Sequence, residues 1–206
     1  AINAALLDFT GLCVAARGID YVGAMISAEN ALGGGDGPCT ALGHKAGLDA
    51  AAAALVNGTA AHGEDYDDTF EGTPVHTGAV ILPAVLAAGG RFGASGSDVL
   101  RGAVVGTELM CRMALVAPTG THKAGFHPTA VMGALGAAAA VGVTLRMSQH
   151  QLTDALGIAG SFASGIIEYL AEGSWTKRLH AGWAAQSGGR AALLGREGFM
   201  GPRTVM

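Results

Sequence analysis

The amino-acid sequence predicts an all-α fold, a multi-helix bundle that forms a single domain over residues 1–206. Apolar residues recur at helical spacing, as Ile2, Leu6, Phe9 and Cys13 do in the first segment. Half of the residues are hydrophobic and 14% are charged, so a large core is available. The 34 glycines have no three-residue period, which excludes a collagen, and small residues allow helices to pack closely.

The first half of the chain is predicted to hold helices separated by glycine-rich or polar segments. Gly18 ends a first helix, and residues 33–38 (GGGDGP) form a loop, because glycine and proline supply turn conformations. The predicted helices are Ile2–Ala16, residues 44–61 and residues 80–89, with a turn-rich segment at 66–75. Pro83 lies near the start of the third of these helices, where a helix tolerates it.

The second half is predicted to hold four more helices with recognisable ends. They are residues 97–117, a small-residue helix from Pro128, a helix opened by Ser148 and a last helix from Thr176 to about Glu197. Ser148 and Gln151 have capping-box spacing, and Thr176 is expected to cap the last helix. Residues 120–126 are expected to form a loop. No segment shows the alternation of a half-buried strand, and no repeat or linker divides the chain.

Charge and cysteine content exclude several classes of partner and site. The net charge is −4 with 12 basic residues and no long basic run, so nucleic acid is not an expected partner. Cys13, Cys39 and Cys111 are widely separated, which indicates reduced thiols in a cytoplasmic protein. Residues 124–145 are uncharged and long enough to span a membrane, but their Gly and Ala content favours a buried soluble helix.

Clustered polar residues interrupt this apolar chain first at residues 62–69 (HGEDYDDT), where four acids occupy five positions. Three interpretations are open: acids that cap a helix, a carboxylate placed in a catalytic pocket, or a metal site that includes His62 or His76. The spacing matches neither the HExxH motif nor an EF-hand loop.

Three further clusters lie at predicted helix starts. His76 precedes an apolar helix, His127 precedes Pro128, and Lys177, Arg178 and His180 open the last helix. Cations at a helix N-terminus oppose the helix dipole unless an anion binds there too. Together with a nearby Asp, these residues suit the binding of a di- or tricarboxylate, followed by proton transfer at a carbon beside a carboxyl group.

In their order and spacing, these clusters resemble the MmgE/PrpD family. The matching stretches are NGTAAH at 57–62, DYDDT at 65–69, HTG at 76–78, GFHPTA at 125–130, TKRLHAG at 176–182 and GFMGP at 198–202. The series extends over nearly the whole chain and is more specific than any single motif. One departure is Thr77, where family members often carry proline after the histidine.

The resemblance implies a lyase without metal or organic cofactor that acts on a small polycarboxylate, such as 2-methylcitrate in propionate metabolism or cis-aconitate. It also implies a homodimer, and a helical domain that lacks the family's α+β lid and C-terminal helices. Residues Asp65, His76, His127 and Lys177 match catalytic positions, and Thr69, Arg178 and His180 are expected to bind substrate. An epimerase and a non-catalytic helical half-protein are the alternatives.

Overall fold

The computed structural model describes residues 2–45 and 47–205 as a bundle of helices, and the all-α prediction is confirmed. The helices in these residues are α1 (Ile2–Ala16), α2 (Asp20–Ala31), α3 (Ala50–His62), α4 (Gly78–Phe92), α5 (Gly96–Val116), α6 (Gly120–Lys123), α7 (Pro128–Thr144), α8 (Gln149–Phe162), α9 (Tyr169–Glu172) and α10 (Thr176–Arg196). Two short strands, β1 (Gly35–Thr40) and β2 (Gly47–Leu48), pair antiparallel.

The core lies around α7, which packs against α10, α5, α4 and α8. Alanine and glycine fill most of its positions, and the helix is buried on all sides, as expected of a helix surrounded by others. Within the described ranges, no single helix is long and apolar enough to cross a membrane, although α1 and α2 pass that test jointly as a pair bent by 91°.

Close approach of α3 and α10 explains two of the glycines. A Cβ at Gly58 would lie 2.7 Å from Cα of Gly182, and a Cβ at Gly182 would lie 2.2 Å from the Leu55 carbonyl oxygen. Both distances are shorter than real Cβ contacts allow, so only glycine permits this crossing. The crossing brings the end of α3 next to the first turns of α10.

The strand pair corrects the prediction that residues 33–38 form a loop and that no strand exists. Strand β1 contains glycine and proline instead of alternating apolar residues, so its sequence shows no strand pattern. A Cβ at Gly37 would lie 2.2 Å from the Leu48 carbonyl oxygen, so glycine is required by the close approach of the two strands.

The helix predicted for residues 44–61 begins later than expected. The Asp49 side chain accepts a hydrogen bond from the Ala52 amide at 2.7 Å and caps α3, which starts at Ala50. Residues 47 and 48 belong to β2, and residue 46 of the predicted helix lies outside the described residues.

Helix ends elsewhere agree with the sequence or differ in small ways. Ser148 and Gln151 form the predicted capping box. Thr176 is the first residue of α10 and gives it no side-chain cap; its hydroxyl contacts Ser174 instead, so this prediction was wrong. Pro83 lies in the second turn, because α4 begins at Gly78. The sequence did not indicate the short helices α6 and α9 or the helix α2.

Candidate active site

Four histidines from separate segments converge at one end of the bundle. His62 is the last residue of α3, His76 precedes α4, His127 precedes Pro128 at the start of α7, and His180 lies in the first turns of α10. Their ring centroids are 4.7 Å apart for His62 and His76, 5.7 Å for His62 and His127, and 5.3 Å for His127 and His180. The predicted residues His76, His127 and His180 therefore lie in one cluster.

Asp67 joins two of these histidines. Its Oδ2 lies 2.8 Å from Nδ1 of His62, and its Oδ1 lies 3.4 Å from Nδ1 of His76. Burial raises the pKa of the Asp67 carboxyl, but the contacts with the two histidines outweigh burial and lower that pKa to about 2. Asp67 is therefore ionised at neutral pH.

The Asp67 carboxylate also changes the pKa of His76. Burial lowers the pKa of the His76 imidazole, but the contact with Asp67 and the charge of Asp67 outweigh burial, so the pKa is raised. The hydroxyl of Thr69 lies 3.3 Å from Nδ1 of His76, and Thr129 Oγ1 accepts from the His76 amide at 3.2 Å. His76 is thus anchored by its main chain and by its ring.

The pKa values of His127 and His180 are shifted in the opposite direction, downwards. Their Nδ1 atoms are 3.2 Å apart in a buried contact, so one nitrogen carries the hydrogen and the other accepts it. Burial and the neighbouring histidines lower the pKa of His127 to about 2, and burial and His62 lower the pKa of His180. Tyr169 packs on both rings, with centroids 6.0 and 5.7 Å away.

Asp65 and Lys177 form an ion pair between the polar loop and the start of α10. Asp65 has a φ of 58°, which non-glycine residues adopt uncommonly, although Asp does so more often than most. Its side chain is 58% exposed and that of Lys177 is 27% exposed, so incoming solute can reach both charges. This pair places the predicted cation at the open side of the site.

Arg178 contacts two other helices of the bundle. Its Nε donates to the Gly63 carbonyl at 2.8 Å, and its guanidinium lies 5.2 Å from the Tyr21 ring centroid. These contacts tie α10 to the end of α3 and to α2.

The acidic run divides into separate roles. Asp65 pairs with Lys177, and Asp67 pairs with two histidines. Asp68 caps α4: it accepts from Thr77 Oγ1 at 2.7 Å and from the Gly78 amide at 2.8 Å. The capping and pocket interpretations of this run therefore apply to different residues.

Three members of the cluster were absent from the predicted site residues. The sequence indicates His62 only as a possible metal ligand, and it does not distinguish Asp67 from the other acids of its run. Tyr169 had no signal, since it arrives on the unpredicted α9. The one feature that pointed to His62 was its place in an apolar helix, where a buried polar group needs a partner.

The donor atoms of His62, Asp67 and His76 lie within 4.8 Å of one another, which is close enough to consider a metal ion. His62 is hydrogen-bonded to one carboxylate oxygen of Asp67, and Nδ1 of His76 approaches the other oxygen to 3.4 Å without forming a hydrogen bond. We refer to these three residues as the histidine–aspartate triad.

An open cleft of about 490 Å³ borders the cluster on the side of Tyr169 and His180. Its other walls include Glu168, Glu172, Thr176, Leu179 and Trp183. This volume is in the range of small-molecule sites. Of the four clustered histidines, His180 lines this cleft.

Comparison with known proteins agrees with this assembly of motifs. The sequence profile of the MmgE/PrpD N-terminal domain matches residues 1–206. Cis-aconitate decarboxylase of Aspergillus terreus is 32% identical over 176 residues, which cover 82% of this chain and 36% of that protein. The Homo sapiens cis-aconitate decarboxylase is 37% identical over 160 residues, covering 75% of this chain and 32% of that protein. The chain spans about a third of the length of these relatives.

Proposed function

This chain belongs to the MmgE/PrpD family, and from that premise we propose that it supplies the proton-transferring histidine site of a lyase for small di- or tricarboxylates. The observation that carries the proposal is the four-histidine cluster, in which the pKa of His76 is raised and the pKa of His127 is lowered, beside the half-buried Lys177. Neighbouring groups whose pKa values are pushed apart are what acid–base catalysis requires.

Each group has a role that follows from its charge. Lys177 binds a substrate carboxylate, and Thr69 adds a hydroxyl next to it on the His76 side. His76, with its raised pKa, is the acid, and His127, with its lowered pKa, is neutral and accepts or relays a proton. His180 holds the His127 ring through the contact between their Nδ1 atoms.

The relatives' name makes cis-aconitate the first substrate to test. In its decarboxylation the bond from carbon to a carboxylate breaks, CO₂ leaves, and the electron pair left on the substrate takes one proton from the enzyme. Dehydration of 2-methylcitrate differs, because an enzyme base removes a proton from carbon, and the hydroxyl group on the neighbouring carbon takes a proton from an enzyme acid and leaves as water. Epimerisation removes and returns a proton with no leaving group.

Proton NMR in D₂O distinguishes these reactions in one experiment. The purified protein is incubated in turn with cis-aconitate, 2-methylcitrate and a chiral dicarboxylate. We expect a decarboxylated or dehydrated product that carries at most one solvent deuterium per reacting carbon. Exchange of a carbon-bound proton without any leaving group would favour the epimerase, and no change in any substrate would contradict the proposal and favour the non-catalytic half-protein.

The proposal includes a reaction independent of metal and of organic cofactor, in a cytoplasmic homodimer. Activity that survives dialysis against a chelator would support the first part. Light scattering during size-exclusion chromatography measures the oligomeric state, and a monomer with full activity would overturn the dimer.

A further inference from the structure

The Asp67 carboxylate lies between two imidazoles that come from different segments of the chain. His62 ends α3 and has a fully buried side chain, whereas His76 precedes α4 and its side chain is 14% exposed. The Asp67 side chain is 2% exposed, so its contacts are made almost without solvent. The two rings meet edge to face with centroids 4.7 Å apart.

An ionised carboxylate can only accept hydrogen bonds. Nδ1 of His62, which is hydrogen-bonded to Oδ2, therefore carries a hydrogen. The other oxygen, Oδ1, is buried without a hydrogen-bond partner among the described residues and lies 3.4 Å from Nδ1 of His76, so it favours a hydrogen on that nitrogen as well. The neutral form of each ring then has a free Nε2. Nε2 of His62 is buried and has no hydrogen-bond partner among the described residues, so a proton there would be left unsatisfied. His76, the more exposed ring, is the one able to take and release a proton.

We propose that Asp67 is a positioning residue that fixes His76 in its Nδ1–H form, so that Nε2 of His76 exchanges the proton with substrate. His62, hydrogen-bonded to the other oxygen at 2.8 Å, holds the carboxylate in place. This inference rests on the proposed role of His76, but the tautomer it assigns can be measured without turnover.

The other groups around His76 fit this assignment. Asp67 and Asp68 favour the imidazolium, Lys177 opposes it, and the rings of His62 and His127 form the buried side of the cluster. Thr69 Oγ1 is 3.3 Å from the same Nδ1 and can share its hydrogen. The net effect is a raised pKa for His76.

Two-bond ¹H–¹⁵N NMR spectra of the unmodified protein test the tautomer directly. Above the His76 pKa, we expect both His76 and His62 as Nδ1–H tautomers. A His76 ring found as the Nε2–H tautomer would overturn the proposal, and this measurement needs no variant that must fold. If micromolar Zn²⁺ shifted the ¹⁵N resonances of both rings and the shifts were complete at one zinc ion per protein, the proposal would also be overturned, since the triad would then be a metal site.

The Asp67→Asn variant gives the second measurement. An amide has one acceptor oxygen, so only one of the two rings can keep the contact between its Nδ1–H group and residue 67. The longer contact, to His76, is expected to be lost. The His76 tautomer should change, its pKa should fall, and kcat should drop by about 10- to 100-fold with KM nearly constant, as general acid–base roles contribute ~10²–10⁴.

Asp154→Asn is the matched control, because Asp154 is also a buried carboxylate beside a histidine, His150, at 3.4 Å. It should leave the His76 spectrum and kcat unchanged. A shift in KM alone for Asp67→Asn would contradict positioning. If no substrate turns over in any form of the protein, the proposed function fails, while the tautomer result still decides the role of Asp67.

Discussion

Lys177 is the residue whose charge has the clearest consequence. It stands in the first turn of α10, where the helix dipole disfavours a cation, and its ion pair with Asp65 offsets this only in part because the Asp65 side chain is 58% exposed. A bound carboxylate would satisfy the cation and the free amides of the helix start together. The residue is therefore more favourably placed in a complex than in the free protein.

We expect Lys177→Met to lower kcat/KM for a di- or tricarboxylate by about 10- to 100-fold, because a hydrogen bond to a charged group is worth about 1.5–3 kcal/mol. Far-ultraviolet circular dichroism should be unchanged, since the Lys177 side chain is not part of the core. Lys123→Met on α6 removes an exposed cation as a matched control. Equal losses in the two variants would mean that only the net charge matters.

At the scale of elements, the fold depends on helices packed backbone to backbone. The crossing of α3 and α10 sets where His62 and Lys177 stand, because both residues are within five positions of Gly58 or Gly182. A side chain at the crossing would separate the helices and displace the site. Stability and site geometry are therefore coupled through two glycines.

Gly182→Ala should destabilise the protein by about 1–3 kcal/mol, the usual cost of an overpacked contact. This sign opposes the helix propensity, which favours alanine over glycine by ~0.8–1 kcal/mol. Gly189→Ala in the same helix is the control, since a Cβ there meets nothing within 4 Å, and it should stabilise. Urea unfolding measures both changes. If both substitutions stabilised the protein, helices α3 and α10 would be farther apart at Gly182 than the structure shows.

The elements that were predictable are those with their own local signal. The helix Ile2–Ala16 has spaced apolar residues, α7 begins at a proline, and α8 has a capping box. Strand β1 was missed because its pairing with β2 depends on the close approach of two backbones at glycine. Such an approach leaves no alternating pattern of side chains in the sequence. The start of α3 was misplaced, because the sequence analysis did not identify Asp49 as the N-cap of this helix.

For the site as a whole, the sequence indicated the polar residues that lie at helix starts. His76, His127, Lys177 and His180 could be found in this way, because each interrupts an apolar segment. The cluster members His62, Asp67 and Tyr169 could not. Which acid of the run at 64–68 faces the histidines depends on the turn of a loop, and the Tyr169 contacts depend on long-range packing.

Because the histidine cluster gathers four segments, its protonation acts on the whole fold. In the unfolded chain a histidine has a pKa of ~6.5, whereas the pKa of His127 in the folded chain is about 2. Between these values the unfolded chain binds more protons, so the free energy of unfolding falls as the pH falls. His180, whose pKa is also lowered, acts in the same direction.

The other shifted groups act in different pH ranges. His76 has a raised pKa, so its contribution is fully present below about pH 6.5 and is lost as the pH rises through its folded pKa. Asp67 has a lowered pKa of about 2, so its contribution is present at pH values above that of the unfolded group and is lost in stronger acid. The range from pH 6.5 to 5 therefore reports mainly His127 and His180.

We expect the free energy of unfolding to fall by about 1.5–3 kcal/mol between pH 6.5 and 5, since one proton contributes ~1.4 kcal/mol per pH unit once the unfolded histidine is protonated. His127→Asn should make this slope shallower by about one proton, even if the variant is less stable at every pH. His122→Asn, on the exposed part of α6, should keep the slope of the unmodified protein. Urea titrations at four pH values give the slopes. Parallel lines for His127→Asn and the unmodified protein would mean that His127 is already protonated in the fold, and the assignment of a neutral His127 in catalysis would then fail as well.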